Sequence, residues 1–472
     1  MPSLTGPSPA LLTWLLRLGV GFAFVVLLFL TVSVPAAVPF LPVVLLAGLG
    51  GWIIVRQENW GLYLLLVGFI LIADQQDGLQ LTEVVYGLSY LGYLGWWYVS
   101  RFVIRKDHVV TSPVDWAVLL FLVWAACSVG LTIFFRGNIA AMIGEGLALS
   151  MLGFYFPVKE LCKKHPDAAR NVLIILAILT TLTALRNFIE FRQRLNSAEY
   201  LWQIATGRAR TNELILMIGS LTWLGMAVYG RTWLERGIML GLFLLSFAGL
   251  IITQSRGYWV SFALGAVVLF LVVSWRKKGQ IVLLGLAGGL GFFLVGFLVF
   301  PQFVDLLVLG IVDRFSTLGS AGQTDISLLN RFQEWGQVWA RIKQNPVLGY
   351  GMGTEFTYPN IILHVTYVVS FIHNGYLALW YKFGLPGLGL MLFAWAGMAW
   401  HAFMLFRTRT APRLIRLFSL GALTFLIAET LVANTSNPFI IEDGTLMFAF
   451  FGGAVAGFRD RVWKDGPDQA GS

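Results

Sequence analysis

The sequence predicts an all-α fold: a polytopic transmembrane bundle of 12–14 helices with one large extracytoplasmic loop that carries amphipathic helices of its own. Three observations lead there. Of 472 residues, 57% are hydrophobic and only 12% are charged, about half the charge of an average soluble domain. Too few polar side chains remain to coat the roughly two to four domains into which a soluble chain of this length divides. The apolar residues also form continuous runs, many of them near the ~20 residues that cross a bilayer, and over such a length in lipid only a helix satisfies its own backbone. Continuity, as opposed to alternation, excludes a closed outer-membrane barrel.

In order, the runs fall near 11–34, 35–55, 60–73, 81–100, 114–134, 139–157, 171–190, 212–229, 237–252, 257–275 and 280–300, then 387–406, 414–433 and 440–457. The 60–73 run is short for a span, which gives the count its range. The first run lacks a small-residue cleavage site after it and reads as a retained helix. Connections are short except for one, so the chain divides into an N-terminal transmembrane bundle (1–300), a large loop (301–386), and C-terminal helices with a tail (387–472).

Basic residues set the orientation. With the N-terminus inside, the inner loops hold 20 of the 33 Lys and Arg, in compact blocks such as Arg276-Lys277-Lys278 and Arg459-Asp460-Arg461 beside helix ends, where cytoplasmic charge is concentrated. Both termini are then cytoplasmic and 301–372 lies outside. The net charge of +9 is explained by these loops, so membrane lipids are the expected contact and nucleic acid is not. Cys127 and Cys162 fall toward opposite membrane faces, which predicts no disulfide.

Within the loop, 325–346 reads as an amphipathic helix. Leu328, Leu329, Phe332, Trp335, Val338, Trp339 and Ile342 recur at three and four residues, while Asn330, Arg331, Gln333, Glu334 and Gln337 fill the other face. Asp325 or Ser327 caps its start and Asn345-Pro346 ends it. Such a helix lies in the headgroup layer. A glycine run (Gly349, Gly351, Gly353) and a polar–aromatic loop follow, then a helix over 371–383 that begins with His373.

No zinc-protease, Cys-x-x-Cys, P-loop or nucleophile-elbow motif is present, and no Asp-x-Asp pair. The outer carboxylates Asp74, Asp77 and Glu83 have no histidine beside them and read as loop polarity, so neither metal nor cofactor is expected. The informative residues are cations on the outer side, against the charge rule. Arg192, Arg194, Arg208 and Arg210 lie in one loop, Arg256 sits in a tight turn at the rim of a span, and Arg331 is on the loop helix. Each has an ordinary alternative, an arginine snorkelling to lipid phosphates. His373 and His364 are the outer histidines. An imidazole near a helix N-terminus and several guanidinium groups favours its neutral, base form. Together these groups suit transfer from a lipid diphosphate. Arginines hold a diphosphate in two-pronged fashion and stabilise its growing charge, while the histidine takes a proton from an incoming hydroxyl.

These residues resemble the O-antigen ligase/polymerase superfamily. The matching pieces are Ser255-Arg256-Gly257, Asn330-Arg331-Phe332-x-x-Trp335, Asn345-Pro346-x-x-Gly349-x-Gly351, His373-Asn374-x-Tyr376-Leu377 and Gly384-Leu385-Pro386-Gly387, in that order. The resemblance implies a metal-independent inverting glycosyltransferase of the bacterial inner membrane, with its active site facing the periplasm. Its donor would be an undecaprenyl-diphosphate-linked glycan and its acceptor a lipid A–core sugar hydroxyl. By the same resemblance His373, Arg256 and Arg331 are the catalytic set; Asn374, inside a matching motif, is a candidate substrate contact, as are the outer arginines Arg208 and Arg210, whose loop carries no matching motif. An O-antigen or exopolysaccharide polymerase would use the same parts. A lipid-linked glycan transporter would need the arginines without the base, and should show repeated halves with broken helices, which the sequence lacks. A metal-dependent glycosyltransferase would carry acidic residues in its first outer loop, where this chain has Pro35-Ala36-Ala37-Val38-Pro39.

Overall fold

The computed structural model describes residues 58–72, 81–197, 212–299, 326–360 and 365–464; the expected runs at 11–34 and 35–55 lie outside them. Every apolar run expected from 60–73 onward coincides with a helix. Among the described residues six helices are long and apolar enough to cross a membrane: Pro113–Phe134, Ile139–Lys164, Ala168–Arg194, Trp233–Ile252, Gly375–Arg407 and Arg413–Val432. Glu213–Val228 and Arg256–Val272 are shorter apolar helices. The protein is an all-α polytopic membrane protein.

The chain forms two compact units, divided between Thr111 and Ser112. In the first, α1 (Glu58–Gly68) continues as a 3₁₀ turn to Ile72, and α2 (Leu81–Tyr98) continues as a π turn to Ile104. Tyr86 ties them together by donating its hydroxyl to the Leu65 carbonyl at 2.9 Å. Arg101 is clamped by Glu58 at 2.5 Å and lies over the Trp97 ring.

The second unit holds α3 (Pro113–Phe134), α4 (Ile139–Ser150), α5 (Tyr155–Lys164), α6 (Ala168–Ser197), α7 (Glu213–Val228), α8 (Trp233–Ile252), α9 (Arg256–Val272), α10 (Trp275–Val299), α11 (Ile326–Ile342), strands β1 (Phe356–Asn360) and β2 (Val365–Val369), α12 (Gly375–Arg407), α13 (Arg413–Val432) and α14 (Glu442–Lys464). Helix starts follow their caps. Ser112 and Asp115 form a reciprocal capping box with Pro113 at the first helical position, and Asn138, Thr232 and Asn374 each accept from a backbone N–H in the first turn. Helix α7 is buried from Leu214 to Val228 and forms the centre. Gly421 of α13 lets it approach closely, since a Cβ there would stand 2.5 Å from Thr222 Oγ1.

Helices α12 and α13 form an antiparallel hairpin, so the start of α12 adjoins the end of α13: the Gly375 N–H donates to the Ala433 carbonyl at 2.7 Å. At the opposite end, α14 crosses α5 through Gly453 and Gly457, whose Cα atoms pack against the Tyr155 and Lys159 carbonyls. That close crossing brings Lys159 between two carboxylates, Asp115 and Asp460 at 3.3 Å. Tyr155 donates to Asp115 at 2.8 Å, and Arg459 joins Asp460 to His401.

Two features depart from the sequence-based expectation. The polar–aromatic loop contains an antiparallel hairpin, with Tyr358 opposite Tyr367; its aromatic and β-branched residues favour strand. The helix expected over 371–383 and the span expected over 387–406 are one element, α12, kinked at Gly384. There φ is +65°, and the Val347 carbonyl occupies the place of a side chain, so only glycine fits. Pro386 follows as the first-turn residue of the continuing helix.

Candidate functional site

The site is built where chain segments meet at the start of α12. The strap 349–355 is the foundation. Gly349, Gly351 and Gly353 all have positive φ, and at Gly351 a Cβ would stand 2.5 Å from the Thr132 backbone N. The strap therefore lies directly on the ends of α3 and α4. Thr132 donates to the Met352 carbonyl at 2.7 Å, and Glu145 accepts from the Gly353 N–H at 2.8 Å. The other Glu145 oxygen meets the buried Lys382 ammonium of α12 at 2.6 Å. The Tyr350 and Gly351 N–H groups donate to the carbonyls of Tyr381 and Lys382.

This strap fixes α11 against the first segment of α12. Arg341 donates to the Glu355 carbonyl at 2.8 Å, Tyr350 to the Arg341 carbonyl at 2.9 Å, and Trp380 to the Pro346 carbonyl at 2.8 Å. Trp339 packs edge-on to Trp380. With its C-terminal end held in this way, α11 buries a stripe at four-residue spacing, Glu334, Val338 and Ile342, while Phe332 and Trp339 stay largely exposed. The sequence pattern put Glu334 on the polar face. The structure corrects this: the helix is rotated so that Glu334 is 2% exposed.

The reason is His373. Glu334 Oε1 accepts the His373 backbone N–H at 2.6 Å, and Glu334 Oε2 meets His373 Nδ1 at 2.8 Å. One carboxylate thus holds both the backbone and the ring of one residue. The His373 side chain is 42% exposed, and the Phe371 ring meets its ring edge-on at 4.9 Å. Strand β1 packs against α11, and burial first, then the Glu334 charge and Tyr367, push the Tyr358 phenol above its usual range.

His373 stands two residues before the helix and does not begin it; Asn374 is the N-cap, and its Oδ1 accepts the Leu377 N–H at 3.0 Å. Arg331 lies one turn before Glu334 on α11, at the three-residue spacing that makes helix neighbours. Arg256 opens α9 after a turn in which Gln254 has φ +52°. The next residue, Gly257, packs on Thr435, in the turn after α13 whose Ala433 carbonyl anchors Gly375. The starts of α9 and α12 therefore share one turn as their neighbour. Arg192 and Arg194 are exposed near the end of α6. Arg208, Arg210, His364, Asp74, Asp77 and Asp325 lie outside the described residues. Cys127 and Cys162 are free thiols. Among the described residues no group of three His, Cys, Asp or Glu is arranged to hold a metal ion.

Sequence reasoning passed over Glu334, although it occupies one of the two open positions in Asn330-Arg331-Phe332-x-x-Trp335. It also passed over Glu145 and Lys382. Their signal was present: two opposite charges inside separate apolar helices pair with each other when buried.

The fold and site define a polytopic membrane protein whose outstanding polar feature is a carboxylate-held histidine at a helix start, with arginines on neighbouring elements. Residues 241–392, about a third of the chain, match the family model described as Wzy_C, O-Antigen ligase. The match supports the O-antigen ligase superfamily and, in general terms, a membrane glycosyltransferase-like enzyme acting on lipid-linked glycans. No curated protein matches the chain.

Proposed function

We propose that this protein is a metal-independent inverting glycosyltransferase of the O-antigen ligase type. It moves a glycan from undecaprenyl diphosphate to a lipid A–core sugar hydroxyl at the periplasmic face of the inner membrane. The observation that carries the proposal is that Arg256, Arg331 and His373 all fall within the matched segment 241–392; Glu334 of α11, the helix that also bears Arg331, holds His373, and the start of α9, which Arg256 opens, packs on the turn that anchors Gly375.

The chemistry follows from charge flow. The acceptor hydroxyl oxygen attacks the anomeric carbon from the face opposite the diphosphate. The bond between that carbon and the diphosphate oxygen breaks, and its electron pair leaves with the diphosphate. Arg256 and Arg331 hold the diphosphate oxygens and stabilise the added charge. The hydroxyl proton passes to His373 as the new bond forms. Arg208, Arg210 and the Asn374 region supply further substrate contacts.

A deletion strain tests this. Loss of glycan from lipopolysaccharide, with long lipid-linked chains accumulating, is the expected result. Accumulation of single lipid-linked repeats would assign the same site to polymerisation. Unchanged lipopolysaccharide and unchanged lipid-linked glycans would reject both.

A further inference from the structure

We infer that Glu334 is the positioning residue of the transfer reaction: it holds His373 in the tautomer with the proton on Nδ1 and so leaves Nε2 as the basic nitrogen. The inference rests on the transfer chemistry proposed above and adds a residue and an atom to it. A staple between α11 and the segment before α12 needs only one acceptor for the His373 N–H. Glu334 supplies that with Oε1 at 2.6 Å, and then commits its second oxygen to ring Nδ1 at 2.8 Å. A carboxylate accepts and does not donate, so the shared proton belongs to Nδ1. The lone pair is left on Nε2, on a side chain that is 42% exposed, while the Glu334 side chain is 2% exposed.

The arrangement has the logic of a base oriented by a buried acid. Nε2 takes the proton of the acceptor hydroxyl as its oxygen bonds to the anomeric carbon. The ring then carries two protons and a positive charge, which the fixed negative charge of Glu334 offsets. The Nε2 proton is afterwards lost to solvent through the exposed edge of the ring. Glu334 itself neither touches substrate nor changes protonation. Because Arg331 is one turn away on the same helix, the same anchor sets the spacing between the base and a diphosphate ligand.

The discriminating substitution is Glu334→Gln. Glutamine keeps one oxygen for the His373 N–H, so the staple survives. Its NH₂ group then faces Nδ1 and donates to it, which drives the ring proton to Nε2 and caps the basic nitrogen. The expected result is normal insertion, undiminished binding of undecaprenyl diphosphate, and transfer lowered by about 10²–10⁴-fold. The readout that a purely structural role would not move is ¹⁵N NMR of histidine-labelled protein, with the His373 signals identified by their loss in His373→Ala. Wild type should show Nδ1–H, Glu334→Gln should show Nε2–H, and Glu334→Asp should retain Nδ1–H and recover part of the rate.

Full transfer by Glu334→Gln, or a tautomer that does not change, overturns the inference. If Glu334→Gln does not insert, the wild-type spectrum decides: Nε2–H there overturns the inference and Nδ1–H upholds the grip. Wild-type protein that transfers nothing, yet shows Nδ1–H, counts against the proposed reaction and leaves the grip standing.

Discussion

The two ends of the second unit treat their buried carboxylates in opposite ways. Far from the start of α12, Asp115 is fully buried and completely used: the Ser112 N–H, the Tyr155 hydroxyl and the Lys159 ammonium all meet it. Asp460 and Arg459 continue that network to His401. Near the start of α12, Glu429 is equally buried, yet neither of its oxygens has a hydrogen-bond partner among the described residues. Glu334, on the same side, spends both oxygens on one histidine whose ring reaches the open. A network closed on itself fixes helices α3, α5 and α14. Polar groups that retain capacity, or point it outward, mark the end where chemistry is expected.

The largest effect that bears on this contrast belongs to His373. His373→Ala should lower transfer by about 10²–10⁴-fold, the usual contribution of a general base. Binding of undecaprenyl diphosphate should be unchanged, because that grip is assigned to the arginines. Purified protein in proteoliposomes gives both measurements. Substantial transfer by the alanine variant would remove the histidine from the mechanism, and lost binding would make it a ligand.

Arg256→Lys and Arg331→Lys come next. Lysine keeps the charge but loses the planar fork that meets two phosphate oxygens. Loss of one such contact in the transition state costs about 2.7–4 kcal/mol, or ~10²–10³ in rate. Both variants should insert and melt like wild type. Near-native turnover in both would assign these arginines to lipid headgroups.

How much of this was legible in the sequence depends on what each residue answers to. The helices were legible because apolar length alone dictates them in lipid, and the runs from 60–73 onward met helices. The two arginines stood out as cations against the charge rule, and His373 as an outer histidine beside a helix start. Glu334 did not, because a 3.6-residue pattern sorts side chains by polarity and assigns the polar arc to water. Here a tertiary partner claimed one member of that arc, and Phe332 and Trp339 turned outward instead. The hairpin at 356–369 was hidden for a related reason. Its strands are five residues each, with Pro359 in one of them, and strand propensity at that length is too weak to read against a loop.

At the far end the expected effect falls on stability and leaves catalysis alone. Asp115→Asn keeps the shape but removes the charge between Lys159 and the cap. Breaking a buried ion pair on one side costs about 3–5 kcal/mol, and the lower part of that range applies because Asp460 still faces Lys159 at 3.3 Å. Thermal unfolding in detergent should show the loss, while transfer per folded molecule stays at the wild-type level. Equal loss of transfer among folded molecules would show that the two ends are coupled.

The smallest effect is the matched change at the near end, Glu429→Gln. Both substitutions turn a fully buried carboxyl into its amide, so they differ only in what surrounds the group. Glu429 has no partner to lose among the described residues. An amide in its place leaves two polar atoms unsatisfied, as before, and removes any cost of holding a charge away from water. The melting temperature should therefore stay level or rise, against the fall expected for Asp115→Asn. Transfer should also persist, because Glu429 lies within α13 and holds neither His373 nor the α9 start. A clear destabilisation by Glu429→Gln would mean that its charge is matched in the membrane by a group from outside the described residues, and the contrast between the two ends would then be one of partner, with both carboxyls paired.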